Sequence, residues 1–230
     1  MPAGSGSVAL EHTVPFVAST IGRKVVMAVT GVVLFGFVLV HMIGNLQVFL
    51  PDHEAINHYG RFLREILHGT GIWIARATLL AAVVLHIWSA TSLTLTNRRA
   101  RPIAYRTKTP DASTYASRTM RWGGVIILLF VIYHLLHMTT GTVHPAFVEG
   151  DVYRNVVTGF QVWPVTLFYV VAMIALGFHL RHGVWSMLQT LGVSHPRWDR
   201  ARHAAATLFA VVVTAGFIAV PLAVLSGVVK

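Results

Sequence analysis

The 230-residue chain is 55% hydrophobic and only 11% charged, against about a quarter charged in a soluble domain, so an ordinary soluble fold is excluded and an integral membrane protein is indicated. Its 18 Lys and Arg outnumber 8 Asp and Glu, but they sit in short segments between apolar runs, which excludes a nucleic-acid-binding face and fits topology signals. The absence of cysteine excludes disulfides, thiolate metal sites, Cys-ligated clusters and covalent c-type haem within this chain; with 13 histidines present, any redox cofactor must be held by imidazole.

A bilayer core of about 30 Å needs about 20 apolar residues per helix. The opening MPAGSGSVALEHTVPFVAST lacks the basic patch and short apolar core of a cleaved signal peptide. The first spanning helix is predicted at 25–49, behind Arg23 and Lys24. Residues 54–67, EAINHYGRFLREIL, alternate apolar and charged positions at helical spacing and read as a helix on the membrane surface. The second span is predicted at 71–95. A loop with seven Lys or Arg follows, and Pro110 and a Ser/Thr-rich run mark its interior. The remaining spans are predicted at 122–142, 162–188 and 204–228, the last two separated by GVSHPRWDRARH.

The two strongly basic loops and the Arg23–Lys24 lead-in fall on one side. The other two loops are mixed or acidic, with Asp52, Glu54, Arg61, Arg64 and Glu65 in one and Glu149, Asp151 and Arg154 in the other. The positive-inside rule puts the N-terminus in the cytoplasm and the C-terminus outside. The expected fold is an all-α membrane protein, a single five-helix domain over residues 1–230.

Four of the spans carry a histidine deep in the apolar run: His41, His86, His134 and His179. An ionisable residue at such depth is a functional hypothesis by default. Any one alone is equally well read as an interhelical hydrogen-bonding contact, but four on consecutive helices ask for a shared reason. At about 1.5 Å rise per residue, His41 lies roughly 24 Å and His134 roughly 18 Å from the cytoplasmic ends of their helices, and His86 and His179 lie roughly 22 and 25 Å from the outer ends of theirs. His41 therefore pairs in depth with His134, and His86 with His179. Each pair can supply both axial ligands of one haem, giving two haems stacked across the bilayer, with neutral imidazoles placing no charge in lipid. A proton relay through the four histidines is the alternative from another class.

His137 and His182 lie one turn beyond His134 and His179, on the same faces and nearer the surface. They read as propionate contacts or snorkelling side chains, with the deeper member of each pair assigned to iron. Arg181 has the same two readings.

These contexts resemble the five-helix, two-haem cytochrome b subunit of succinate dehydrogenases and fumarate reductases. STIGRKVVMAVTG (Ser19–Gly31) resembles the family's lead-in to its first helix; HMIGNLQVF, LHIWSA, YHLLH and FHLRHGVWS resemble its ligand segments. The resemblance covers nearly the whole chain, and HxxHGxWS is its most specific part. It implies that His41 and His134 hold the outer haem b and His86 and His179 the inner one. It further implies a flavoprotein partner carrying FAD, where succinate is oxidised or fumarate reduced, and an iron–sulfur partner on the cytoplasmic face of a bacterial cell membrane. The present chain would be their anchor, their electron path and part of a quinone site, with menaquinone the expected quinone, and the complex could form higher oligomers.

For the quinone, the resemblance points to an acidic residue near the start of the second span, where Glu65 lies beside Arg64 and His68; general acid–base exchange with quinone oxygens would suit it, and a solvated surface residue is the other reading. Nearer the inner haem, Ser19, Arg23, Trp185 and Ser186 could frame a second pocket or meet propionates. Asn45 and Gln47 either bond the outer haem's surroundings or cap the first helix. Rival readings are the cytochrome b subunit of another quinone-linked dehydrogenase or hydrogenase, and an anchor whose histidines hold nothing.

Overall fold

The computed structural model describes residues 15–100 and 115–230, with side chains from 120 onward in the second segment. The opening residues and the Pro110 region of the basic loop lie outside the described residues. All regular structure among the described residues is helical.

Helix α1 runs Thr20–Asn45, α2 Glu54–Glu65, α3 Thr70–Arg99, α4 Tyr115–Met138, α5 Val152–Phe160, α6 Trp163–Thr190 and α7 Asp199–Leu225. Five of them, α1, α3, α4, α6 and α7, are long and apolar enough to cross a membrane; α2 and α5 are short and lie together at one end of the bundle.

Local chemistry sets these limits. Ser19 caps α1, its Oγ accepting from the Gly22 N–H at 2.9 Å. The 3-10 turn Leu46–Phe49 carries the chain beyond α1, so the apolar run predicted as one helix to residue 49 changes pitch at Asn45. Between α2 and α3, Leu67 and His68 take positive φ of 53° each, followed by Gly69 at 85°. This left-handed corner turns the surface helix directly into the second span. Met138 ends α4, four residues short of the predicted limit: the Thr139 N–H still bonds the Leu135 carbonyl, but Gly141 then turns at φ 72°.

Helix α5 forms where the sequence predicts a loop. Asp151 starts it, its carboxylate accepting from the Arg154 N–H at 3.1 Å. Asn57 of α2 is buried and ties the two short helices together: its Oδ1 accepts from the Tyr153 N–H at 2.9 Å, and its Nδ2 donates to Asp151 at 3.3 Å and Glu54 at 3.2 Å.

The spanning helices pack in a defined order. α6 lies most closely on α7, α1 on α3, and α4 on α6, with α1 also touching α6 and α7. Small residues allow the close approaches, as membrane packing favours: a Cβ on Gly177 would stand 2.5 Å from Thr214 Oγ1, and one on Gly216 2.5 Å from Met42 Sδ. One apolar core, including Phe130, Phe160, Tyr169, Met173, Val220 and Val224, fills the end beneath α2 and α5; a second, of Met42, Leu180, Ala210 and Val213, joins α1, α6 and α7. By contrast, among the described residues the backbone of α1 makes few close approaches to α4, and that of α3 few to α4 or α6.

Candidate functional site

Across those gaps the deep histidines meet. His41 near the end of α1 and His134 near the end of α4 have ring centres 5.8 Å apart at 78°. His86 and His179, midway along α3 and α6, have ring centres 6.3 Å apart at 60°. Two helix pairs whose backbones make few close approaches are thus joined at the level of two imidazole pairs. The levels match because each pair lies on helices that run the same way, α1 with α4 and α3 with α6, so similar counts from the same end reach one depth.

Apolar rings shape the first pair. Phe37 stacks on His41 at 5.3 Å and Phe217 lies 5.9 Å away. Phe130 stacks on His134 at 5.7 Å. Tyr169 of α6 brings its hydroxyl 3.2 Å from His134 Nδ1 and 3.0 Å from His137 Nδ1. His137 is fully buried, its ring stacked on His144 at 4.8 Å and 27°. His144 is fixed in turn: its Nδ1 accepts from the Ala146 N–H at 3.0 Å, so Nε2 donates to the Asn155 carbonyl at 2.9 Å. Of the two histidines one turn apart on α4, His134 therefore faces His41 and His137 faces His144.

At the second level, His86 Nδ1 lies 3.1 Å from Thr30 Oγ1 on α1. His179 Nδ1 and Ser89 Oγ are buried without a partner, as are Trp185 Nε1 and Arg23 Nε towards the same end. His182 lies with its ring centre 5.8 Å from that of Trp185, which stacks on His203 at 4.8 Å.

The other sequence candidates take local partners. Arg23 donates to Thr96 Oγ1 at 3.1 Å and to the Ala18 carbonyl at 2.8 Å, tying α1 to α3. Arg181 donates to Thr207 Oγ1 at 3.1 Å. Ser19 serves as the α1 cap. Glu65 and His68 are exposed at the α2–α3 corner, and Asn45 closes α1. Thr30, Tyr169 and His144 are the polar neighbours that sequence reasoning missed; a lone Thr or Tyr in an apolar span was the only signal available.

An ion gripped by one imidazole on each side at about 2 Å holds the ring centres about 6 Å apart. Both pairs meet that spacing. No group of three or more His, Asp or Glu among the described residues is arranged to hold a metal ion, and each facing pair offers two imidazoles. The orphaned polar atoms around His179 and Trp185 fit a bound group with polar edges at that level.

Together these features define a multi-pass all-α membrane protein with two level pairs of intramembrane histidines. Residues 94–219 match the succinate dehydrogenase/fumarate reductase transmembrane subunit family, and the chain belongs to that family. The match runs from the end of α3 through most of α7 and so includes His134 and His179. No curated protein and no solved structure matches the chain.

Proposed function

We propose that this chain is the di-haem cytochrome b anchor of a succinate:quinone oxidoreductase. His41 and His134 hold one haem b, and His86 and His179 the other. The observation that carries this reading is the facing of two histidine pairs, with ring centres 5.8 and 6.3 Å apart, each pair on two different spanning helices. Haem bound there supplies one-electron storage at two depths. The chain's part is to grip each iron from both sides, exclude water with Phe37, Phe130 and Phe217, and keep the imidazoles neutral in an apolar setting. A proton relay would need the four rings strung on one path; among the described residues no hydrogen bond joins a ring of one pair to a ring of the other.

In this reading the α1 N-terminus faces the cytoplasm, and the end bearing α2 and α5 faces out. An iron–sulfur subunit docks on the cytoplasmic face and carries electrons from a flavoprotein with FAD, where succinate and fumarate interconvert. Menaquinone exchanges electrons and protons with the anchor. Ser89 and the free nitrogens of Arg23 and Trp185 supply polar contacts for the inner haem's edge, with Arg181 and His182 nearer the surface. Glu65 and His137 remain candidates on the outer side for quinone and propionate.

The test is affinity purification of the chain from its native membrane. A flavoprotein and an iron–sulfur protein should copurify, and the preparation should reduce a quinone with succinate. Copurification of a hydrogenase or formate dehydrogenase in their place would overturn the assignment.

A further inference from the structure

We propose that Thr30 is a positioning residue for the inner centre: its hydroxyl oxygen accepts a hydrogen bond from the Nδ1–H of His86 and so fixes which nitrogen of that ring is free to bind iron. This rests on the reading of His86 as an axial ligand.

A threonine hydroxyl has one hydrogen and two lone pairs. Thr30 Oγ1 lies 2.8 Å from the Val26 carbonyl oxygen and 3.1 Å from that of Met27, one turn back on α1. Two oxygens 2.8 Å apart repel unless a proton lies between them, so the hydroxyl hydrogen points at the helix backbone. Towards His86 the oxygen presents a lone pair, 3.1 Å from Nδ1. A neutral imidazole has one N–H, and a bare Nδ1 would set lone pair against lone pair. The N–H is therefore on Nδ1, and Nε2 carries the ring's free lone pair.

The site is built to hold this contact. Thr30 is buried, so water does not compete for its oxygen. The partner ring has no such support: His179 Nδ1 is buried and unpartnered. The inner pair is asymmetric: His86 is held to α1 by the Thr30 hydroxyl, with the Met27 carbonyl beside it, and the Nδ1 of His179 has no partner.

An imidazole that donates its second N–H to an oxygen is a more basic ligand, and a more basic ligand favours the oxidised iron. Removing the oxygen should raise the midpoint potential of one centre only. The experiment is a redox titration of the two b-type haems in the purified complex, comparing wild type with Thr30→Val, Thr30→Ala and Thr30→Ser. Valine and alanine should shift one centre upward and leave the other in place; serine, which keeps the oxygen, should restore the wild-type value. The shifted centre must be the one that His86→Ala removes. Unchanged potentials in Thr30→Val and Thr30→Ala, equal shifts in both centres, or a serine variant that behaves like valine would each overturn the proposal while leaving the di-haem reading intact. A wild-type complex without haem would defeat that reading first, and this one with it.

Discussion

The hydroxyl of Tyr169 stands 3.2 Å from Nδ1 of His134, linking α6 to α4 at the level where His134 meets His41. If His134 uses Nε2 for iron, its Nδ1 must donate to the Tyr169 oxygen. The tyrosine proton then goes to His137 Nδ1, 3.0 Å away. Tyr169→Phe removes both bonds and leaves polar nitrogens buried, a cost of about 1–3 kcal/mol each. The expected outcome is a complex that loses its outer haem first on warming in detergent, followed by absorbance. Equal loss of both haems would argue that Tyr169 is merely part of the general core.

The pairing makes a four-variant prediction. His86→Ala and His179→Ala should each remove the same haem, and His41→Ala and His134→Ala the other. Redox-resolved difference spectra of the four complexes separate the two classes. If the His86 and His41 variants lack the same centre, the pairing is wrong.

Gly159 of α5 lies against the stacked rings of His137 and His144: a Cβ there would stand 2.9 Å from each. Gly159→Ala should push α5 off the bundle at a cost of about 1–3 kcal/mol. Gly183→Ala is the control, since nothing lies within 4 Å of its Cβ position. Unfolding midpoints of the two variants in one detergent should differ in that order.

Arg202 is buried at the start of α7, where it donates to Asp199 at 2.7 Å and to the Val193 carbonyl. It pins the α6–α7 turn. Arg202→Ala frees that carbonyl and leaves a half-exposed carboxylate, so the cost is about 1–3 kcal/mol rather than that of a fully buried pair. Lower yield of assembled complex, with the haem spectrum of the surviving fraction unchanged, is the expected result.

Because the chain has no cysteine, orientation can be tested with single introduced thiols. Glu149→Cys, exposed near α5, should react with a membrane-impermeant maleimide added to intact spheroplasts; Ser194→Cys, exposed between α6 and α7, should react only after lysis. The opposite pattern would invert the topology.

Five apolar spans and the short helix before the second were legible because apolar length and helical periodicity are one-dimensional properties. Helix α5 was not: its nine residues are too few for a periodic signal, though Asp151 three residues before Arg154 was a capping cue. The depths of His41, His86, His134 and His179 could be counted along the helices. What those rings touch depends on rotation about each helix axis, which spacing leaves free. Hence Thr30, Tyr169 and His144 were unseen, and the local partners of Arg23 and Arg181 could not be told from roles at a cofactor. Gly216 shows the same limit: its use is the close approach of Met42 from α1, invisible within its own segment.

The most direct measurement is the haem content of the purified complex, from a pyridine haemochrome assay set against chain concentration. The account predicts two b-type haems for each copy of this chain. One haem, or none, would contradict it.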